Sequence, residues 1–214
     1  MLFRSTIALI GASRGIGLAL LEFYAGAGWR VHATVRDLDG PASDVKGDVQ
    51  LHLLDVTDET GVDRFASELP MTDVLIHNAG VYGTGMTRDA LWAVNVDAPI
   101  RMAEAVLPRL PPGGKMVLVT SQMGARRGGT GSLGAYGDSK AALNDAFRAR
   151  ARRWHEAGAI AIVLHPGWVK TDMGGRNASL TPQQSAEGIA TVVESLAPKN
   201  HGQFLTWDGR EHPW

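Results

Sequence analysis

Short apolar runs alternate with longer helical patterns along the whole chain, and this alternation is what most limits how it can fold. Most of the runs lack the alternation of polar and apolar residues that marks a strand with one exposed face. Strands of that kind are buried on both faces, as happens when helices connect them in parallel βαβ units. The sequence therefore predicts an α/β fold, a doubly wound parallel sheet with helices on both faces.

The pattern gives bounds for about seven strands and for the helices between them. The expected strands are Ile7–Ile10, Arg30–Val35, Val49–Leu54, Val74–His77, Met116–Thr120, Ile160–His165 and Gln203–Thr206. The expected helices are Ile16–Ala27, Glu59–Leu69, Arg88–Leu110, Gly134–Ala157 and Thr181–Leu196. The polar segment Asp37–Asp48 is predicted to be a loop with at most a short helix. Thr181, Pro182 and Gln184 form a capping-box pattern at the start of the last helix.

Length, charge and composition exclude several classes of protein. The chain has 214 residues, enough for one well-buried domain that spans residues 1–214. A net charge of −1 provides no broad basic field, so we expect neither a nucleic acid nor a membrane surface as partner. The absence of cysteine excludes disulfides and cysteine-based metal sites. The seven histidines show no metal-ligand spacing, so no bound metal is expected.

The N-terminal apolar run is too short for a signal peptide, because Gly11 and Arg14 interrupt it. No stretch approaches the roughly 18 apolar residues of a membrane span. We therefore expect a cytoplasmic protein.

A glycine-rich turn, Gly11-Ala-Ser-Arg-Gly15-Ile-Gly17, joins the first strand to the first helix. Gly11 suits a tight turn, Gly15 allows the backbone to approach a pyrophosphate, and Gly17 allows close packing of helix on strand. The spacing differs from G-x-G-x-x-G, so an ordinary glycine-rich turn is the alternative. Its position between strand and helix favours a Rossmann-type dinucleotide site, with Ser13 and Ile16 in the same turn.

The end of the second strand indicates which dinucleotide binds. A carboxylate there would bind the 2′-hydroxyl of NAD, but this strand ends in Arg36. Arg14 lies in the glycine turn on the same edge, and two guanidinium groups are able to clamp a 2′-phosphate. The pair favours NADP(H). Two solvated surface arginines are the alternative, and Asp37 leaves NAD open.

Tyr136 and Lys140 stand four residues apart and share one face of a predicted helix. A phenol is a poor base at neutral pH because its pKa is near 10. A nearby ammonium group lowers that pKa, so we expect Lys140 to activate Tyr136. Tyr136 would then act as general acid in carbonyl reduction and as general base in alcohol oxidation. A surface pair without function is the alternative.

Three further polar residues stand at positions that favour a site. Ser121 follows the fifth strand and Asn78 the fourth, where ligands bind in parallel sheets. Ser121 suits a hydrogen bond to a substrate carbonyl, although it would also suit a loop cap. Asn95 lies between apolar residues within a predicted helix, where asparagine is unfavourable. It either bonds to backbone or belongs to a proton path.

Together these motifs, in this order, resemble the short-chain dehydrogenase/reductase family. The resemblance rests on the glycine turn, Asp55 after the third strand, Asn78-Ala79-Gly80, Asn95, Ser121, Tyr136-x-x-x-Lys140 and Pro166-Gly167-Trp168-Val169-Lys170-Thr171. Within the family, the C-terminal Gly202-Gln203-Phe204, Trp207-Asp208-Gly209 and Pro213-Trp214 are similar to C-factor- and sniffer-type carbonyl reductases.

The resemblance implies roles for these residues. Asp55 and Val56 would contact the adenine, Asn78–Gly80 would support the sheet and the cofactor, and Pro166–Thr171 would cover the nicotinamide carboxamide. Lys140 would also bind the nicotinamide ribose. The implied catalytic set is Asn95, Ser121, Tyr136 and Lys140. The residues expected to bind NADP(H) are Gly11, Ser13, Arg14, Gly15, Ile16, Gly17, Arg36, Asp55, Val56, Asn78, Ala79, Gly80, Tyr136, Lys140, Pro166, Gly167, Val169 and Thr171.

Two hypotheses about function follow. The first is an NADP(H)-dependent oxidoreductase that interconverts a small carbonyl compound and an alcohol. The second is a dinucleotide-binding regulatory or signalling protein on the same fold with little turnover. The resemblance also implies a homodimer formed through the long helices after the fourth and fifth strands.

The chain departs from the family pattern at three places. Ile10 replaces the usual threonine before Gly11, and His77 replaces the first asparagine of the usual Asn-Asn-Ala-Gly. The interval from Ser121 to Tyr136 is longer than usual, with the extra residues expected in Arg126–Leu133. None of these departures removes a catalytic group.

Overall fold

The computed structural model describes residues 5–126 and 134–214. The insertion expected in Arg126–Leu133 therefore lies, except for Arg126, outside the described residues. Seven parallel strands form one sheet in the order β3-β2-β1-β4-β5-β6-β7. They are β1 (Thr6–Ile10), β2 (Arg30–Val35), β3 (Asp48–Leu53), β4 (Val74–His77), β5 (Lys115–Val119), β6 (Ile160–His165) and β7 (Phe204–Thr206). The predicted doubly wound parallel sheet is confirmed.

Within the described residues, six α-helices connect the strands. They are α1 (Gly15–Gly26), α2 (Glu59–Glu68), α3 (Arg88–Trp92), α4 (Ala98–Val106), α5 (Ala135–Glu156) and α6 (Pro182–Ser195). A 3₁₀ turn at Pro41–Asp44 is the short helix that the polar segment after β2 allowed. No helix within the described ranges is long and apolar enough to cross a membrane, and the same residues contain no cluster of metal-ligating side chains.

Apolar side chains cover both faces of the sheet, as the uninterrupted strands predicted. On one face, residues such as Ile7 and Leu9 pack against α1 and α6. On the other, Ile10 and Leu75 pack against α2, α4 and α5. The exception is β3, which is only partly buried along its length. It is an edge strand with a neighbour on one side only.

The prediction of one continuous helix over Arg88–Leu110 is wrong, because the segment is divided into shorter helical pieces. A π-helical segment, Ala93–Asp97, separates α3 from α4. Pro99 lacks the N–H group that would bond to the carbonyl of residue 95 in a regular α-helix, which explains the change of pattern there. A 3₁₀ turn at Leu107–Arg109 then follows α4, and its Pro108 cannot continue the α-helical bonds.

The order of strands places a cleft at one edge of the sheet. The chain leaves β1 for α1 on one face, and it leaves its neighbour β4 toward α3 and α4 on the other. Connections that leave adjacent strands in opposite directions open a crevice at the carboxyl ends of those strands. The residues after β1 and β4 therefore define the place where a ligand fits this sheet.

The N-terminus of α6 carries the capping box that the sequence predicted. The Thr181 hydroxyl accepts a hydrogen bond from the Gln184 backbone N–H at 3.1 Å. The Gln184 side-chain oxygen accepts one from the Thr181 N–H at 2.9 Å. Two otherwise unpaired N–H groups of the first turn are thereby satisfied.

Replacing Thr181 with alanine removes this cap and is expected to lower the free energy of unfolding by about 1 kcal/mol. Urea unfolding monitored by circular dichroism measures the change. Thr191→Ala is the matched control, since the Thr191 hydroxyl bonds only to the Glu187 carbonyl within the same helix. Equal stability of Thr181→Ala and Thr191→Ala would contradict the assigned role of the cap.

Candidate active site

A cleft of about 710 Å³ lies at the carboxyl ends of β1 and β4. That volume is within the usual range for a ligand site. Of the residues expected to bind a dinucleotide, those lining it are Gly11, Ser13, Arg14, Gly15, Ile16, Arg36, Asp55, Val56, Asn78, Ala79, Gly80, Tyr136, Lys140, Pro166 and Thr171. The structure therefore brings most of the predicted set together around one space.

Gly11 and Gly17 allow the turn, α1 and the end of β4 to pack with almost no space between them. A Cβ atom at Gly17 would lie 1.9 Å from the Gly11 carbonyl oxygen. A Cβ atom at Gly11 would lie 2.8 Å from the Ala79 backbone, and Gly11 itself has a φ of +86°. Larger side chains are incompatible with both positions. Gly15 has a φ of +58° and faces Thr171.

Polar contacts from neighbouring strands hold the glycine turn. The Asn78 side-chain amide donates to the Gly11 carbonyl at 2.9 Å. The Gly11 N–H donates to the Thr34 hydroxyl, also at 2.9 Å. Ile10 supplies no such bond from its own strand, so a threonine of β2 anchors the turn instead. Thr34 lines the cleft, and the pairing of β1 with β2 was the information needed to find it.

The two arginines expected near a 2′-phosphate both line the cleft. The Ser13 hydroxyl accepts a hydrogen bond from the Arg36 backbone N–H at 3.1 Å, which ties the glycine turn to the end of β2. The Arg14 guanidinium is paired with the Asp172 carboxylate at 2.7 Å. Both side chains of that pair are largely exposed, so it contributes little to stability. The sequence did not predict Asp172 as a partner of Arg14.

Asp55 follows β3 and accepts hydrogen bonds from the Thr57 N–H at 2.9 Å and the Thr57 hydroxyl at 2.7 Å. These bonds lower the pKa of Asp55, and the nearby Arg36 charge adds to the effect. The carboxylate is therefore ionised and fixed in orientation at the adenine end expected for the cleft.

Asn95 is fully buried and makes three side-chain hydrogen bonds. Its Oδ1 atom accepts from the Val81 N–H at 2.9 Å, and its Nδ2 atom donates to the Val81 carbonyl at 2.8 Å. Nδ2 also donates to the Ser139 hydroxyl at 3.0 Å, which in turn donates to the Tyr136 carbonyl at 2.7 Å. Of the two roles considered for Asn95, bonding to backbone is the one observed.

Tyr136 and Lys140 meet on one face of α5, as their spacing predicted. The Lys140 ammonium nitrogen lies 5.9 Å from the centre of the Tyr136 ring. It is buried and donates to the Val119 carbonyl at 3.1 Å. Burial lowers the pKa of Lys140 to about 8, so the ammonium form still predominates at neutral pH.

The expectation that the pKa of Tyr136 is lowered is wrong. Burial raises the pKa of Tyr136 to about 12, although a hydrogen bond with Ser121 acts in the opposite direction. Desolvation dominates because a buried phenolate loses its hydration. Tyr136 is therefore a protonated phenol at neutral pH. The Ser121 hydroxyl also accepts a hydrogen bond from the Met123 N–H at 3.1 Å, which fixes its orientation beside Tyr136.

Three of the residues expected to bind the dinucleotide do not line the cleft but shape its walls, and Asn95 and Ser121 of the expected catalytic set are not among the lining residues either. Gly17 packs behind the glycine turn, as described above. Gly167 has a φ of +87°, and a Cβ atom there would lie 2.4 Å from the Leu180 side chain. Val169 is buried and pairs with Leu180 through a β-bridge. These contacts fix the course of the segment after β6.

His77, which stands where the family has an asparagine, is buried at the end of β4. Burial and the nearby Lys140 charge lower the pKa of His77 to about 3, so it is neutral. Within the described residues its Nε2 atom has no hydrogen-bond partner. The substitution thus adds a neutral ring beneath the cleft and no charge.

The sequence did not single out Tyr82, Met86 or Met173. Met86 and Met173 line the cleft and are partly exposed. The Tyr82 ring stacks on the Tyr136 ring, with centroids 5.0 Å apart and planes 26° from parallel. All three lie in loops after strands, where no periodic pattern marks their position.

Comparison with known proteins agrees with this arrangement. The profile of the short chain dehydrogenase family matches residues 5–181. The chain belongs to this family. C-signal of Myxococcus xanthus is 39% identical over 155 residues, which are 66% of this chain and 92% of that protein.

Two solved structures share the whole fold. Carbonyl reductase Sniffer of D. melanogaster has a TM-score of 0.89 at 25% identity, covering 99% of this chain and 100% of that one. A carbonyl reductase from Pseudomonas aeruginosa PAO1, solved in complex with NADP, has a TM-score of 0.85 at 31% identity, with the same coverage.

Replacing Asn95 with alanine leaves the Val81 N–H and carbonyl without their buried partner. We expect the free energy of unfolding to fall by about 1–3 kcal/mol, the usual cost of buried polar groups left unpaired. Urea unfolding at neutral pH measures the loss. Asn177→Ala, at an exposed position, is the control and should change stability little. Wild-type stability of Asn95→Ala would show that the bonds to Val81 are unimportant.

Proposed function

We propose that this short-chain dehydrogenase is an NADP(H)-dependent oxidoreductase that interconverts a carbonyl compound and an alcohol. Tyr136 serves as general acid in one direction and general base in the other. One observation carries the proposal: Tyr136 and Lys140 line the same cleft as the glycine turn. A dinucleotide held by the turn and a proton donor would therefore face the same bound substrate.

The shape of the cleft fits a dinucleotide. Gly11, Gly15 and Gly17 leave the backbone of the turn uncovered by side chains, at the N-terminus of a twelve-residue helix. Backbone N–H groups and the helix dipole attract a pyrophosphate at such a place. The related carbonyl reductase of P. aeruginosa was solved with NADP, which supports the same ligand here.

The charges at the adenine end favour the phosphorylated dinucleotide. Arg36 directly follows β2, at the place where a carboxylate would be needed for the ribose of NAD. Arg14 lies nearby and already binds one carboxylate oxygen, that of Asp172. An anion with several charged oxygens, such as a 2′-phosphate, accepts bonds from both guanidinium groups. Asp55 and Val56 then bound the adenine side of the same space.

When bound, the reduced nicotinamide supplies the hydride that adds to the carbonyl carbon. The Ser121 hydroxyl holds the carbonyl oxygen, and the Tyr136 phenol transfers its proton to that oxygen, so that an alcohol forms. Lys140 holds the nicotinamide ribose and keeps a positive charge beside the phenol. Asn95 acts indirectly, because it fixes Val81 and, through Ser139, the first turn of α5.

The protonation state of Tyr136 suits reduction. With a pKa raised to about 12, the phenol is protonated at neutral pH and is ready to act as an acid. Oxidation needs the phenolate, and the positive charge of an oxidised nicotinamide would lower the pKa of Tyr136 toward neutrality. The acid and base roles are thus separated by the redox state of the ligand.

The lining of the cleft also indicates the class of substrate. Met86, Val94 and Met173 give the cleft an apolar side, which suits a small apolar carbonyl compound rather than a nucleic acid or a membrane.

We propose a cytoplasmic homodimer formed through α4 and α5. The alternative, a signalling protein with little turnover, is suggested by the names of the relatives C-signal and the cyclic-di-GMP-binding biofilm dispersal mediator protein of Escherichia coli, and measurements of turnover distinguish the two.

Arg36→Asp tests the choice of cofactor. The wild type should prefer NADPH to NADH by at least ~1.5 kcal/mol, the lower range for hydrogen bonds to charged groups. The substitution should weaken NADPH binding and reduce this preference, as measured by calorimetric titration of both nucleotides. Arg64→Asp makes the same change of charge at an exposed position of α2 and should leave the preference intact. Equal affinity of the wild type for both nucleotides would rule the assignment out.

Tyr136→Phe tests the proton transfer. Loss of acid–base catalysis should reduce turnover by ~10²–10⁴-fold, while NADPH affinity stays nearly unchanged because the phenol acts on the substrate. Lys140→Met should impair both turnover and NADPH affinity. The readouts are steady-state oxidation of NADPH with a panel of aldehydes and ketones, and NADPH titration.

Tyr24→Phe is the control for Tyr136→Phe, since Tyr24 lies on α1 and is buried in the core that α1 shares with α6, away from the cleft lining. It should keep wild-type turnover. A folded Tyr136→Phe variant with wild-type turnover would refute the mechanism.

A further inference from the structure

Tyr82 covers one face of the proposed proton donor. It lies on the segment that follows β4, and its ring stacks on that of Tyr136 with centroids 5.0 Å apart and planes 26° from parallel. Offset stacking at this distance is the favourable geometry for two aromatic rings. About half of the Tyr82 surface, 49%, stays exposed, so the residue stands between Tyr136 and solvent.

The backbone on both sides of Tyr82 is fixed. The preceding residue, Val81, is held at its N–H and its carbonyl by the buried Asn95 amide. The following residue, Gly83, has a φ of +84°, and a Cβ atom there would lie 2.8 Å from the Leu91 side chain. The chain therefore has little freedom to move the Tyr82 ring away from Tyr136. These contacts fix the backbone that carries the exposed Tyr82 ring beside Tyr136.

We propose that Tyr82 is a positioning residue for the reaction, whose ring holds the Tyr136 phenol in place and shields it from water. The proposal rests on the proposed function of Tyr136. It assigns the effect to the ring and not to the Tyr82 hydroxyl, because the stacked rings provide the contact. A phenol held against one wall keeps its oxygen directed toward the substrate, which reduces the cost of aligning it in the transition state.

Electrostatics act in the same direction. Burial is the main reason that the pKa of Tyr136 is raised, and the stacked Tyr82 ring covers part of the Tyr136 ring. Removing the Tyr82 ring would expose Tyr136 to water and allow its pKa to fall toward the ordinary value near 10. Tyr82 therefore favours the protonated phenol, the form that reduces a carbonyl.

The test compares Tyr82→Leu, which keeps an apolar side chain and loses the ring, with the conservative Tyr82→Phe. In carbonyl reduction, Tyr82→Leu should lower kcat about tenfold, a part of the whole acid–base contribution, with a smaller effect on NADPH affinity. In alcohol oxidation, the limb of the pH profile that reports Tyr136 should move to lower pH. Tyr82→Phe should restore both the rate and the limb toward wild type.

A second readout does not depend on turnover. The chain has three tyrosines, so the phenolate absorbance of Tyr136 is isolated by subtracting the signal of the same protein with Tyr136→Phe. Rapid pH jumps, read before the protein unfolds, give its ionisation. Tyr136 should ionise at lower pH in Tyr82→Leu than in the wild type and in Tyr82→Phe.

The two readouts separate failure of this inference from failure of the proposed function. An unchanged Tyr136 titration and pH profile in Tyr82→Leu would overturn the role of Tyr82, even if the wild type reduces carbonyl compounds. Tyr82→Phe as impaired as Tyr82→Leu would also overturn it, since the hydroxyl would then be the active part. A wild type without turnover would refute the proposed function, while the titration would still decide whether Tyr82 shields Tyr136.

Discussion

The close approach of α1 to the end of β1 is the contact on which the site depends. A Cβ atom at Gly17 would clash with the Gly11 carbonyl oxygen, because the two atoms would lie only 1.9 Å apart. The same carbonyl accepts the Asn78 amide at 2.9 Å, which joins β1, α1 and β4 at one point. Because nothing larger than glycine fits, the helix N-terminus stays open toward the cleft, where it attracts a phosphate group. The order of the strands then places the residues after β4 and β5 around the same opening.

A second set of bonds positions the reacting side of the cleft through backbone groups. The Asn95 amide holds Val81 and Ser139, and Ser139 holds the Tyr136 carbonyl. Lys140 bonds to the carbonyl of Val119, the residue that ends β5. Buried polar networks of this kind are costly when a member is lost and rigid when complete. They hold Tyr136 and Lys140 in a buried environment, which raises the pKa of the phenol and lowers that of the amine.

The sequence was sufficient for the features that depend on local pattern. Strand positions, the glycine turn and the capping box at Thr181 follow from periodicity and from fixed spacings, and the structure shows each of them. Features that depend on pairs distant in sequence were not predictable in this way. Asn95 bonds to Ser139, 44 residues away, and Arg14 to Asp172, 158 residues away. The direction of the Tyr136 pKa shift was also wrong, because the degree of burial depends on loops whose course no spacing defines.

Hydride transfer from NADPH to a carbonyl carbon is the step on which the proposed activity depends. The most direct test supplies NADPH deuterated at C4, in each of its two stereochemical forms, with an aldehyde or ketone that the protein consumes. Mass spectrometry of the product alcohol then locates the label. We expect deuterium on the former carbonyl carbon from one of the two forms, at a rate that depends on Tyr136. An alcohol without deuterium from either form, or NADPH that is never consumed, would contradict it.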